Sequence, residues 1–100
     1  MSEQQDEIEN KQRDHLNFIV IPTVFYDYWM RVLNAEEFKI LNWFARKTYA
    51  FTTDFDFSLE ELVNSIGISE EKVLKSLHSI AEQNIIIKIA ADFHRHRREI

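Results

Sequence analysis

The stretch from Ser58 to Gln83, in which two short segments flank Ile66-Gly67-Ile68, constrains this chain more than any other. Each segment opens on its own serine. Ser58 with Glu61 fits a capping box, where the hydroxyl accepts from an unpaired backbone amide and the glutamate reaches back to the cap. Ser69, followed by Glu70 and Glu71, supplies a second cap with negative charge at the positive end of the helix dipole. Gly67 falls where a helix must leave through a left-handed residue, a conformation that costs other residues a steric penalty. Two capped helices joined by a short glycine turn make a helix-turn-helix unit. The second helix of such a unit is commonly laid against DNA.

Composition sets the outer bounds. One hundred residues, 45% apolar with thirteen aromatics, suffice for one domain with a real core. The absence of cysteine removes a disulfide framework and a thiolate metal site. A single Gly and a single Pro favour helices joined by tight connections. No segment approaches the roughly 20 apolar residues of a membrane span, and the charged amino terminus does not read as a signal peptide. A cytoplasmic protein is expected. The net charge of -5 speaks against an indiscriminate polyanion binder, so the distribution of charge decides the matter.

Residues 1–14 are polar and mostly acidic, with Ile8 as their one apolar member beyond Met1, and read as a disordered or frayed tail. The domain is expected over 15–100. Pro22 pre-sets a helix start, after which Phe25, Trp29 and Val32 share one face. Asn34 with Glu37 opens another helix, its inner face formed by Phe38, Ile40, Leu41, Phe44 and Ala45. From Phe51 to Phe57 aromatics and Thr53 alternate with Thr52, Asp54 and Asp56, which predicts a half-buried strand. Within the motif, Val73, Leu74, Leu77, Ile80 and Ala81 are expected to face inward. Ile85, Ile87, Ile89, Ala91 and Phe93 alternate with Ile86, Lys88, Ala90 and Asp92, predicting a second strand. The expected class is therefore α+β, mainly α: a winged helix-turn-helix with a short antiparallel sheet. The motif spans 58–83, and wing strands with a basic tip span 85–100. A terminal helix over 92–100 is the competing reading, because Ala91 to Arg98 lacks turn residues.

The run from Ile21 to Phe51, followed by Ser58-Leu59-Glu60-Glu61-Leu62 and Ile66-Gly67-Ile68-Ser69, resembles the amino-terminal winged helix of phage O-type replication initiators. Related domains occur in bacterial primosome and replisome-organiser proteins. The most specific block is Arg46-Lys47-Thr48-Tyr49-Ala50-Phe51, and the resemblance covers roughly 18–88. Relatives carry glycine where this chain has Ala50, and basic or small polar residues where it has Glu70 and Glu71. The resemblance implies a domain that binds origin DNA while other parts of the protein recruit helicase machinery.

Candidate DNA contacts are Arg46, Lys47, Ser69, Lys72, Lys75, Ser76, Arg95, Arg97 and Arg98. The densest positive cluster is His94-Arg95-His96-Arg97-Arg98, suited to phosphates or a minor groove. Glu60, Glu61, Glu70, Glu71 and Glu82 oppose Lys72 and Lys75 within the motif, a balance that fits a protein-facing helix better than a DNA-facing one. Phe18, Ile19, Tyr26, Met30 and Trp43 exceed what two short helices need for a core and suggest an oligomer interface. No activated nucleophile or glycine-rich phosphate loop is present, so neither an enzyme nor a cofactor or metal site is expected. The leading expectation is weak, sequence-tolerant DNA contact by a replication-initiation or replisome-organising protein of a phage, plasmid or bacterium. Alternatives are a protein-docking or self-association module, with other replication proteins as candidate partners, and a transcriptional regulator.

Overall fold

Pro22 fixes the backbone at the head of the first helix, and the Phe25 N–H bonds back to its carbonyl at 3.0 Å. A computed structural model of the chain describes residues 19–98, with side chains as far as Arg95. The first helix, α1, is a wide π turn, Phe25–Trp29, running into one α turn, Met30–Val32. The Met30 N–H reaches the Phe25 carbonyl, five residues back. That extra residue rotates the next turn about the helix axis. The buried stripe becomes Phe25, Trp29 and Leu33, and Val32, expected to share it, is exposed.

Helix α2, Ala35–Lys47, opens as expected. Asn34 Oδ1 accepts from the Glu37 N–H at 2.7 Å, and Glu37 Oε1 accepts from the Asn34 N–H at 3.0 Å. Its far end is less ordinary. The Ala50 N–H bonds to the Ala45 carbonyl at 2.6 Å, the long link of a Schellman-type helix end, with Tyr49 in the left-handed position. Ala50 and Phe51 come next, with φ of 61° and 65°. Ala50 stands where the resemblance has glycine, which meets no Cβ penalty there.

Buried Thr48 holds this turn together. Its hydroxyl donates to the Phe44 carbonyl at 2.6 Å and accepts from the Phe51 N–H at 2.8 Å. Its carbonyl accepts from the N–H groups of Thr52 and Thr53. Thr48→Val keeps the side-chain shape but removes both hydroxyl bonds. It should lower stability by about 1–3 kcal/mol, the cost of leaving a buried polar group unsatisfied. Urea denaturation measures this, with Thr48→Ser expected close to the parent.

Helices α3, Leu59–Ile66, and α4, Glu70–Glu82, form the motif. Ser58 Oγ accepts from the Glu61 N–H at 3.0 Å. Glu61, however, is turned toward Lys47, with Oε2 3.6 Å from Nζ, so only the serine half of that capping box forms. Gly67 leaves α3 at φ 68°, and Ser69 Oγ accepts from the Lys72 N–H at 3.4 Å. The inner stripe of α4 is Val73, Ser76 and Ile80, with Leu77 half-buried; Leu74 and Ala81, expected inward, are exposed. Helix α2 packs on both α3 and α4, and Ser79 Oγ donates to Glu37 Oε2 at 2.8 Å across the α2–α4 seam.

The described residues contain no strand, so the expected winged helix with an antiparallel sheet gives way to an all-helical fold. Residues 51–57 form a loop. Its Phe55 and Phe57 lie on Trp43 and Phe44 with ring centroids 5.1–5.9 Å apart. The alternation that suggested a strand thus serves to lap the loop onto α2. A strand there would need a partner, and the second candidate, 85–93, belongs to helix α5, Ile85–Arg98. Ile85, Ile89 and Phe93 recur every four residues, a spacing that satisfies a strand period and a helical turn equally; all three are buried. Ile87 decides between them. It is 68% exposed, on the side of α5 away from the core. The basic segment is accordingly no wing tip, since residues 94–98 continue α5. The alanines at 90 and 91 and the arginines favour that continuation, and no turn residue interrupts it. The expected tail over 1–14, Phe18, Glu99 and Ile100 lie outside the described residues. Asn84, at φ 54°, makes the corner between α4 and α5, and α5 packs on α4 and returns to α1.

Candidate nucleic-acid interface

The outward side of α4 carries Glu70, Glu71, Lys72, Leu74, Lys75 and His78, all exposed. Lys72 and Lys75 border a cleft of about 320 Å³ against the start of α2, where Asn34, Glu36 and Glu37 face them. These two cations are therefore brought together, but beside acidic neighbours. Ser69 is exposed and its hydroxyl serves as the α4 cap. Ser76 is buried, at the wall of the same cleft.

The remaining predicted cations sit elsewhere. Arg46 is exposed at the end of α2. Lys47 is half-buried, its Nζ 5.5 Å from the centre of the Trp43 ring and 3.6 Å from Glu61 Oε2. Arg95 is exposed and pairs with Asp92 one turn back. Arg97 and Arg98 occupy the last turn of α5. The candidate cations are thus carried by three helices, α2, α4 and α5.

Trp43 does not belong with the candidate oligomer surface. It is 9% exposed, covered by Phe55 and Phe57 of the loop. Tyr26 and Met30 are exposed one turn apart on α1, and Ile19 is half-buried.

A groove between α1 and α5, about 550 Å³ in volume, is not foreshadowed by the strand reading of 85–93. Val24, Tyr28, Trp29, Lys88, Ala91, Asp92 and Arg95 line it. Trp29 Nε1 donates to Asp92 Oδ2 at 3.0 Å, which ties the two helices together at this point. On a strand Lys88 and Arg95 would point to opposite faces. On a helix seven residues are two turns, and both side chains come to one face. Reading 85–100 as a helix would have found the pair.

Among the described residues no cluster of three or more His, Asp or Glu is placed to hold a metal ion, and no helix is long and apolar enough to cross a membrane.

Two helices, each opened by a serine and joined through a left-handed glycine, give this protein the local pattern of a helix-turn-helix unit. The chain belongs to the bacteriophage replication protein O family, whose model matches residues 5–97. The family expected from the Ile21–Phe51 and motif blocks is therefore the right one, and it places the chain among phage replication proteins. Comparison with curated proteins and with solved structures gave no match.

Proposed function

We propose that this chain is the DNA-contacting domain of a replication-initiation or replisome-organising protein, acting in the cytoplasm as part of an oligomer and holding duplex DNA weakly with little sequence preference. The observation that supports it best is the α3–Gly67–α4 unit, which leaves the outward side of α4 with Lys72 and Lys75 exposed. A helix so placed is the element that enters a major groove in this class of motif. The basic end of α5 adds Arg95, Arg97 and Arg98 for phosphate contact. Glu70, Glu71 and the net charge of -5 keep affinity low.

Titration of a labelled duplex at several salt concentrations tests this reading. Affinity should fall with salt at a slope of about 0.9 per phosphate neutralised. Replacing Arg95, Arg97 and Arg98 together by Ala should remove most of the binding, and Lys72→Ala with Lys75→Ala should remove less. A triple variant that binds like the parent sinks the assignment to the end of α5.

One observation favours a second reading. Leu74 is 48% exposed in the middle of the outward face of α4, with Glu70, Glu71 and the His78–Glu82 pair around it. An apolar residue rimmed by charge suits a basic protein partner. Absence of duplex binding at low salt, with helical content intact, would move the function from DNA contact to docking.

A further inference from the structure

Aromatic rings and cations meet in one groove outside the motif, the one between α1 and α5. Tyr28 is 50% exposed, and its ring stands edge-on to Trp29 at 5.0 Å and 88°. Trp29 is itself buried and fixed by its hydrogen bond to Asp92. Tyr28 is thus an accessible ring on a rigid support. Lys88 and Arg95 lie two turns apart on one face of α5, a rise of about 10 Å, with the small Ala91 between them.

Asp92, the one acid lining the groove, is engaged on both oxygens. Oδ2 accepts from Trp29 and Oδ1 from the Arg95 guanidinium, and its side chain is 19% exposed. Asp27 precedes Tyr28 in the chain but does not line the groove. Asp92 and Arg95 offset each other, and Lys88 leaves the groove with a net positive charge in a chain of net charge -5; the sequence continues past Arg95 with His96, Arg97 and Arg98.

We propose that this groove binds single-stranded DNA, with one base stacked on Tyr28 and flanking phosphates held by Lys88 and Arg95. A base inside a duplex already has neighbours on both faces, so an exposed ring in a groove that also holds cations accepts only an unstacked base. Duplex DNA therefore has no use for Tyr28; Arg95 is common to this groove and to the duplex contact at the end of α5, whereas Tyr28 and Lys88 belong to the groove alone. Membership of a phage replication family makes DNA the strand in question.

Fluorescence anisotropy of labelled oligo(dT) with the full chain at low salt tests the proposal. Tyr28→Ala should weaken oligo(dT) binding about 5- to 150-fold, the equivalent of about 1–3 kcal/mol per stacked base. Tyr28→Phe should bind like the parent. Lys88→Ala should lower affinity and reduce the salt slope by about 0.7, the single-strand value for one phosphate. Neither change should alter duplex binding, and Lys72→Ala with Lys75→Ala should alter duplex binding but not oligo(dT), so the two readings fail separately. Circular dichroism checks that Tyr28→Ala keeps its helices; Lys88 is exposed on α5 and its variant repeats the test without touching an aromatic contact. The proposal is overturned by no oligo(dT) binding at low salt, by Tyr28→Ala and Lys88→Ala variants that bind like the parent, or by tighter binding of oligo(U) than of oligo(dT).

Discussion

Phe93→Ala is expected to lower stability by about 3–5 kcal/mol, the range for deleting a fully buried aromatic side chain. Phe93 has no exposed surface, and its ring meets Phe25 and Phe51 edge-on, each with centroids 5.5 Å apart. Those two rings come from α1 and from the turn after α2, so a single side chain of α5 joins three parts of the chain. Each aromatic pair adds about 0.5–1.5 kcal/mol to the area it buries. Domains of this size hold about 5–15 kcal/mol in all, so the variant should sit close to its unfolding transition at room temperature. Urea denaturation monitored by circular dichroism measures the loss. Ile87→Ala is the control: its side chain is largely solvated on a helix, and alanine is the better helix former. It should leave the midpoint near that of the parent. On a strand over 85–93, Ile87 and Phe93 would share the buried face and both changes would be costly, so comparable losses from the two would contradict the helix.

The same residues show where the sequence is readable. Helix starts are, because a cap is a local device: Asn34, Ser58 and Ser69 each accept from the amide three residues on. The left-handed exit at Gly67 is readable for the same reason. The 85–93 segment is not, because Ile85, Ile89 and Phe93 fit periods of two and four alike, and only the surroundings of Ile87 separate them. Once 85–93 is helical, Phe51–Phe57 has no partner, and its rings turn instead to Trp43 and Phe44. The geometry of its own helix puts Trp43 outside; the cover comes from a loop twelve and fourteen residues further on, at Phe55 and Phe57. The π turn in α1 moves Leu33 inward in place of Val32 through one added residue per turn, which an ideal helical period does not anticipate. Among the candidate contacts, Lys72, Lys75 and Arg95 emerge on the surface, whereas Ser76 is buried at the inner stripe of α4. The Tyr28–Lys88–Arg95 groove depends on the helical reading of α5 and is lost without it.

Changing Glu70 and Glu71 together to Arg should raise duplex affinity about tenfold at moderate salt if the start of α4 faces DNA. Both side chains are exposed in the first turn of α4, the part of a recognition helix that approaches the groove. Two carboxylates there repel phosphate, and two arginines would each add a contact, steepening the salt dependence by about 0.9 apiece. Between about 200 and 50 mM salt, that added slope alone is worth roughly a factor of ten. Stability should move the other way, because negative charge at a helix start is favourable by about 0.3–1 kcal/mol per residue and positive charge is not. A variant with tighter DNA binding and a slightly lower melting temperature is therefore the expected result. The surface potential of these residues reaches only about 8–10 Å at physiological salt, so a distant DNA site would hardly register the change. Unaltered affinity and slope would mean that α4 is turned away from DNA, and the exposed Leu74 within its acidic rim would then mark this face as a docking surface for a basic partner.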